Sequence, residues 1–124
     1  MGILVHKSFS LAIEIVQLYK YLVDEKREYV MSKQLLRAGT SVGAMVRESQ
    51  NAESKMDFVH NLGIAQKECD ETLYWLELIQ ASGYPDEQKF KACYQQASEV
   101  LKILKSVILT TKQNINKKNE QRIS

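Results

Sequence analysis

The sequence predicts an all-α protein, specifically an up-down-up-down antiparallel four-helix bundle. Its 124 residues include only one proline and five glycines, so few residues interrupt a helix. Apolar residues recur at steps of three and four along four separate stretches, as on the buried face of an amphipathic helix. Four amphipathic helices joined by short connections usually close into a bundle, and the chain is expected to form one domain over residues 1–124.

The first two helices are predicted at about residues 8–24 and 32–52. Ser8 is the candidate N-cap of the first helix, and Ser32 begins the second. The middle of the second helix carries almost no bulk, although glycine inside a helix costs roughly 1 kcal/mol relative to alanine. This small-residue face predicts that another helix approaches closely. Its members are Gly39, Thr40, Ser41, Gly43 and Ala44.

The last two helices are predicted at about residues 55–82 and 86–112. Ser54 and Asp57 have the spacing of a capping box, and Gly83 followed by Pro85 is a typical helix stop. After Thr111 the apolar periodicity gives way to polar and basic residues, so residues 113–124 are expected to form a frayed basic tail. The apolar surface of the second and third helices is broad, which predicts further burial between copies of the chain.

Composition places the chain among soluble globular proteins, with 44% hydrophobic and 26% charged residues. No apolar run approaches the roughly 20 residues that span a bilayer, and Ile3-Leu4-Val5 is too short for a signal-peptide core. A cytoplasmic protein without a membrane partner is therefore expected. Cys69 and Cys93 fall on apolar stripes, which predicts two reduced core thiols.

The sequence favours neither catalysis nor a metal or other cofactor. His6 and His60 are the only histidines, neither lies in the Glu-x-x-His arrangement of di-iron bundles, and there is no Cys-x-x-Cys. His60, Glu68 and Glu71 share a helix face and allow a metal site to be drawn. The preferred interpretation is that these are surface or interfacial charges, so no catalytic or metal-binding residue is assigned.

Two arginines of the second helix are candidates for structural ion pairs. Arg37 and Arg47 lie among small and apolar residues, and each is expected to pair with a carboxylate, with phosphate contact as the alternative. Removing one member of a buried pair typically costs about 3–5 kcal/mol. The candidate partner carboxylates are Glu48, Glu68 and Glu71.

Charge is divided along the chain, although the net charge is only +2. The charged residues of segment 57–87 are acidic except for one lysine, whereas most charged residues of segment 89–122 are basic. A basic surface binds phosphates through counterion release, and a solvated helix face is the alternative interpretation. The candidate nucleic-acid-binding residues are Lys33, Lys55, Lys102, Lys105, Lys112, Lys117 and Lys118.

Several stretches, taken together in this order and spacing, resemble a known family. They are Leu18-Tyr-Lys-Tyr-Leu, the segment from Ser32 to Ala44, Arg47-Glu48, Asp57-Phe58 and Ala65-Gln-Lys-Glu-Cys-Asp-Glu-Thr-Leu-Tyr-Trp-Leu. From roughly Lys7 to Thr111 the chain resembles the bacterial four-helix-bundle proteins named for the 23S rRNA intervening sequence. It departs from them at Met45-Val46, where the family often has Asn-Ile.

The resemblance implies an up-down bundle assembled into a homopentameric ring, an architecture that the accessory protein of diversity-generating retroelements shares. It also implies RNA or DNA nearby and no established catalytic activity. The resulting hypothesis is a non-enzymatic oligomer that binds RNA or a nucleoprotein through basic surface residues. The expectation that the oligomer is a pentamer rests on this resemblance alone. The alternative is a protein-protein interaction scaffold that binds no nucleic acid.

Overall fold

The computed structural model describes residues 2–84 and 87–123. It contains the four helices α1 (Gly2–Asp24), α2 (Met31–Ser49), α3 (Lys55–Ala81) and α4 (Glu87–Ile123), and these described residues include no strand. Each helix packs against the next, and α4 returns to pack against α1. Short connections make consecutive helices antiparallel. The predicted all-α, up-down-up-down four-helix bundle is confirmed.

Of the two helix starts predicted from serine residues, that of the first helix was wrong and that of the second differs by one residue. Helix α1 begins at Gly2 instead of Ser8, because Leu4 continues the buried stripe one turn toward the N-terminus. Ser8 is consequently buried in mid-helix, where its hydroxyl donates to the carbonyl oxygen of Val5 at 3.2 Å. Helix α2 begins at Met31, and the N-cap position before it makes no side-chain capping hydrogen bond.

The connection between α1 and α2 closes through backbone hydrogen bonds. Arg27 adopts a left-handed conformation with φ of 52°, which side chains other than glycine rarely do. The N–H of the next residue, Glu28, then donates to the carbonyl oxygen of Leu22 at 3.0 Å. Arg27 thus takes the left-handed position that glycine commonly occupies just after a helix end.

The Glu28 carboxylate caps α2 from outside the helix. It accepts the backbone N–H groups of Val30, Met31 and Ser32 at 3.1, 2.9 and 2.7 Å. Burial by itself would raise the pKa of Glu28, but the hydrogen bonds from Ser32, Met31 and Val30 outweigh it, so the pKa lies below its ordinary value of 4.5. The carboxylate thus satisfies backbone donors that the start of an α-helix leaves without partners.

The predicted boundaries around α3 are confirmed within the described residues. The Ser54 hydroxyl accepts the Asp57 N–H at 3.0 Å, and the Asp57 carboxylate accepts the Glu53 N–H at 3.2 Å. Gly83 has φ of 95°, the left-handed conformation that ends the helix. The predicted stop residue Pro85 and the predicted start of the fourth helix at residue 86 lie outside the described residues.

Helix α4 continues to Ile123, so the predicted end near residue 112 and the frayed tail of 113–124 were wrong over residues 113–123. Ile115 gives a physical reason, because it lies half-buried in a groove with Met56 and Val59 at the start of α3. Through Ile115, α4 therefore still packs against α3 after the regular apolar spacing of the helix has ended. Ser124 lies outside the described residues.

The small-residue face of α2 packs against α1. A Cβ atom placed on Gly39 would lie 2.7 Å from Cγ2 of the buried Ile15, and one placed on Gly43 would lie 3.2 Å from the carbonyl oxygen of Ser8. The predicted close helix approach is therefore present, and it occurs within the chain. A continuous core fills the bundle, with Leu11, Leu18, Val42, Leu62, Phe90 and Leu104 among its members.

Both cysteines are buried, free thiols in the core, as predicted. The Sγ of Cys69 on α3 donates to the carbonyl oxygen of Ala97 on α4 at 3.2 Å. Burial, together with the nearby Asp70, raises the pKa of the Cys69 thiol to about 12, and burial with the nearby Glu14 raises that of Cys93 to about 12. Neither thiol is poised as a nucleophile.

Candidate nucleic-acid interface

One of the lysines predicted to bind nucleic acid lies in a groove between α3 and α4. The groove has a volume of about 220 Å³ and is lined by Met56, Val59, Lys112, Ile115 and Asn116. It sets the first turns of α3 beside the later turns of α4. Lys112 thereby stands next to the side chain of Met56, which is 72% exposed.

Two more of these lysines share the face of α4 that carries Lys112. Lys102, Lys105, Leu109 and Lys112 follow one another at steps of three and four residues, so they form one row along the helix. All four are exposed, Leu109 to 58%. Lys55, the first residue of α3, directly precedes Met56 at the same end of the bundle. We call these six residues, including Met56, the α3–α4 basic surface.

The structure does not bring every candidate lysine to this surface. Lys117 and Lys118 follow Ile115 and Asn116, the last residues of α4 that line this groove, and they lie on the final turns of α4. Lys33 lies in the first turn of α2, which is at the opposite end of the bundle from the first turn of α3. It therefore stands apart from the other six candidates.

The other end of the α3–α4 face carries acidic groups. A groove of about 560 Å³ is lined there by Glu77, Gln80, Glu87, Phe90 and Lys91, among others. The charge division noticed in the sequence is thus partly a division along the bundle axis. Lys55 and Lys112 lie where α3 begins, and Glu77 and Glu87 lie where α3 ends.

Arg37 contacts two of the carboxylates proposed as its partners. Its guanidinium donates to Oε2 of Glu68 at 3.1 Å and also pairs with Glu71, whose Oε2 accepts the indole N–H of Trp75 at 3.1 Å. The Arg37 side chain is 47% exposed. Ion pairs this open to solvent contribute about 0–1 kcal/mol, well below the contribution expected of a buried pair.

Arg47 has a different environment from Arg37. Its guanidinium lies 6.0 Å from the centroid of the Phe9 ring, and over the described residues neither Arg47 nor Glu48 forms an ion pair. Arg47 and Phe9 line a groove of about 350 Å³ between α1 and α2, together with Ala12 and Gly43. Arg47 therefore marks the edge of an apolar groove.

This apolar α1–α2 surface is a feature that sequence reasoning missed. Phe9 is 54% exposed, and Ile13, one turn further along α1, is exposed beside it. Both residues fit the apolar spacing of the first helix, so spacing alone predicts that they face inward. The signal that distinguishes them is Leu11 and Ile15, which are fully buried and set a different inward direction.

Residues 2–84 and 87–123 contain neither a metal-ligating cluster nor a membrane-spanning helix. In that part of the chain, no three His, Cys, Asp or Glu residues are placed to hold a metal ion. Among the same residues, no helix combines the length and the apolar character needed to cross a membrane.

The fold and these surfaces define a small all-α bundle with a basic surface on α3 and α4 and an apolar surface on α1 and α2. The chain belongs to the 23S rRNA-intervening sequence protein family, whose model matches residues 3–106. The resemblance found in the sequence is thereby confirmed. No curated protein matches the chain.

A solved structure from Bacteroides thetaiotaomicron is similar to this chain. It is a protein of unknown function from the S23 ribosomal protein family, 46% identical in sequence with a TM-score of 0.82. The match covers 85% of this chain and 97% of the other. The later part of α4, from residue 107 onward, lies outside the segment that the family model matches.

Proposed function

We propose that this protein is a non-enzymatic, oligomeric four-helix bundle that binds RNA, alone or within a nucleoprotein, through exposed lysines. The observation that carries the proposal is the row of Lys102, Lys105 and Lys112 on one face of α4, with Lys55 at the same end of the bundle. Their exposure leaves the ammonium groups accessible to a ligand.

Phosphate is the ligand chemistry that suits this surface. Lysines set along one helix face can follow a phosphodiester backbone, and each phosphate they neutralise releases condensed counterions. Met56 and Leu109 add exposed apolar side chains between the charges, which can contact sugars or unpaired bases. Binding through such a surface depends strongly on salt and weakly on sequence.

The exposed apolar surface between α1 and α2 is the basis for the oligomeric part of the proposal. The exposed Phe9 and Ile13 lie on the α1–α2 surface, beside the groove that Arg47 helps to line. Contiguous exposed apolar patches commonly mark interaction sites. We propose that this surface joins copies of the chain, with the pentamer of the family resemblance as the expected assembly. An oligomer repeats the lysine row, and linked binding sites raise the overall affinity for one long RNA.

The test is the Lys102→Glu, Lys105→Glu, Lys112→Glu variant, assayed with a labelled RNA hairpin at low salt. We expect affinity to fall at least about tenfold and the dependence on salt to become less steep, because phosphate contacts are lost. Lys91→Glu is the matched control, since Lys91 is an exposed lysine of the same helix near the acidic end. Light scattering checks that the assembly is intact, and unchanged RNA binding would refute the proposal.

The second candidate function is a protein-binding scaffold, which the apolar α1–α2 surface favours. A protein partner would cover Phe9 and Ile13, and its carboxylates would face Arg47. This candidate predicts negligible RNA binding even at low salt. It also predicts that Ile13→Asp leaves the mass of the protein alone unchanged, whereas self-association through this surface predicts a smaller particle.

A further inference from the structure

The last residues of α4 form a projecting helix, which we call the α4 arm and define as residues 113–123. Near its base, Ile115 packs in the groove with Met56 and Val59. Every side chain from Asn116 to Gln121 is exposed. The arm lies wholly beyond residue 106, where the match to the family model ends. It is an addition to the part of the chain that defines the family.

The arm is helical although its own residues favour a helix only weakly. It contains Asn114, Asn116 and Asn119, and asparagine is among the poorer helix formers. Isolated helices shorter than about 12–15 residues are marginal in water, so helix stability usually comes from packing. Ile115 is the one half-buried side chain between residues 113 and 121. Little side-chain burial therefore stabilises the helix of the arm.

The chemistry of the arm selects the class of partner. A helix that docks in a protein groove presents apolar anchors at steps of three and four, but the arm has only Ile115 and Ile123, eight residues apart. The same shortage argues against a membrane surface, which requires an apolar face. Lys117 and Lys118 instead offer charge, and the preceding amide of Asn116 offers hydrogen bonds, which together suit a phosphate backbone.

We propose that the α4 arm contacts RNA directly and that phosphate contact stabilises its helix. This inference rests on the proposed function, that the chain binds RNA, and goes further by assigning part of the binding to a segment outside the family-matched bundle. Ordering a weakly stable helix on the ligand costs conformational entropy, so strengthening the helix in advance raises affinity.

The experiment compares two double charge reversals with the same labelled RNA hairpin. Lys117→Glu with Lys118→Glu alters the arm, and Lys102→Glu with Lys105→Glu alters the bundle. We expect each pair to weaken binding at least about tenfold near physiological salt, because both remove phosphate contacts. Hydrogen exchange followed over the arm is expected to slow when the hairpin is added to the wild-type protein, and to slow less in the arm variant.

A third variant tests the folding part of the inference. Asn119→Ala replaces an exposed poor helix former by the best one, without removing a charge. We expect slower exchange in the free arm and RNA binding that is several-fold tighter.

The outcomes separate this inference from the proposed function. If the bundle pair weakens binding and the arm pair does not, the arm inference fails and the proposed function stands. If neither pair weakens binding, both fail. Exchange in the arm that the hairpin leaves unchanged would overturn the claim that phosphate contact stabilises its helix.

Discussion

Adding one methyl group to Gly39 tests the close packing of α1 and α2. A Cβ atom there would lie 2.7 Å from Cγ2 and 2.8 Å from Cγ1 of Ile15. Ile15 is fully buried and β-branched, and its side chain has one strongly preferred rotamer in a helix, so it cannot turn aside at little cost. We expect the steric cost of Gly39→Ala to cancel or exceed the gain from the better helix propensity of alanine.

Gly63 in α3 supplies the matched control. A Cβ atom at Gly63 would meet nothing within 4 Å, so Gly63→Ala should gain the helix propensity alone, about 1 kcal/mol. Gly39→Ala gains the same propensity and adds overpacking, which costs roughly 1–3 kcal/mol in a filled core. The difference between the two variants removes the shared propensity and isolates the steric cost, expected at about 1–3 kcal/mol.

The assay is urea unfolding followed by circular dichroism, with every variant at the same protein concentration, because any association changes the apparent stability. Gly63→Ala should unfold at a higher urea concentration than wild type, and Gly39→Ala at the same or a lower one. Placing Gly39→Ala in an Ile15→Ala background removes both clashing atoms and should restore the gain from alanine. Equal stabilisation by Gly39→Ala and Gly63→Ala would refute the close-packing argument.

Two further predictions concern the connection between α1 and α2. Because burial is outweighed by the donated hydrogen bonds, the pKa of Glu28 is lower in the folded state than in the unfolded state. The capping contribution is therefore present above the ordinary pKa of 4.5 and is lost as pH falls through the folded value. Glu28→Gln should cost about 1 kcal/mol at neutral pH, and this difference should shrink in acid unfolding titrations. Glycine at position 27 relieves left-handed strain of about 1 kcal/mol, so Arg27→Gly should raise the unfolding temperature, whereas Lys26→Gly, at a position without positive φ, should not.

The fold was predictable because its signals are repeated many times along the chain. Core positions such as Leu35, Val42 and Val46 recur at helical spacing, so successive turns of the helix all indicate the same buried face. The ends of α1 and α4 depended on single residues instead. Ser8 has the chemistry of a cap, but its neighbours bury it, and the helical extension past residue 112 required the contact of Ile115 with α3.

The candidate site was predictable only in part, because it combines helices that are distant in sequence. Helical spacing alone aligns Lys102, Lys105 and Lys112, but the pairing of α3 with α4 is needed to add Met56. The exposed position of Phe9 was missed because Phe9 itself fits the apolar spacing of α1, and only the burial of Leu11 and Ile15 shows which apolar face packs inward. Glu28 lay in a charged stretch, and its role as a cap of α2 becomes apparent only from the path of the loop.

The buried thiols of Cys69 and Cys93 can report how often α3 and α4 separate, because they react only when they become exposed. Alkylating reagents react with thiolates, and a pKa of about 12 leaves almost none at neutral pH while Cys69 and Cys93 remain enclosed. Modification therefore has to wait until α3 and α4 separate locally. The rate of labelling measures how often that happens in the native sequence, without any introduced probe. Any ligand that holds these two helices together will slow it.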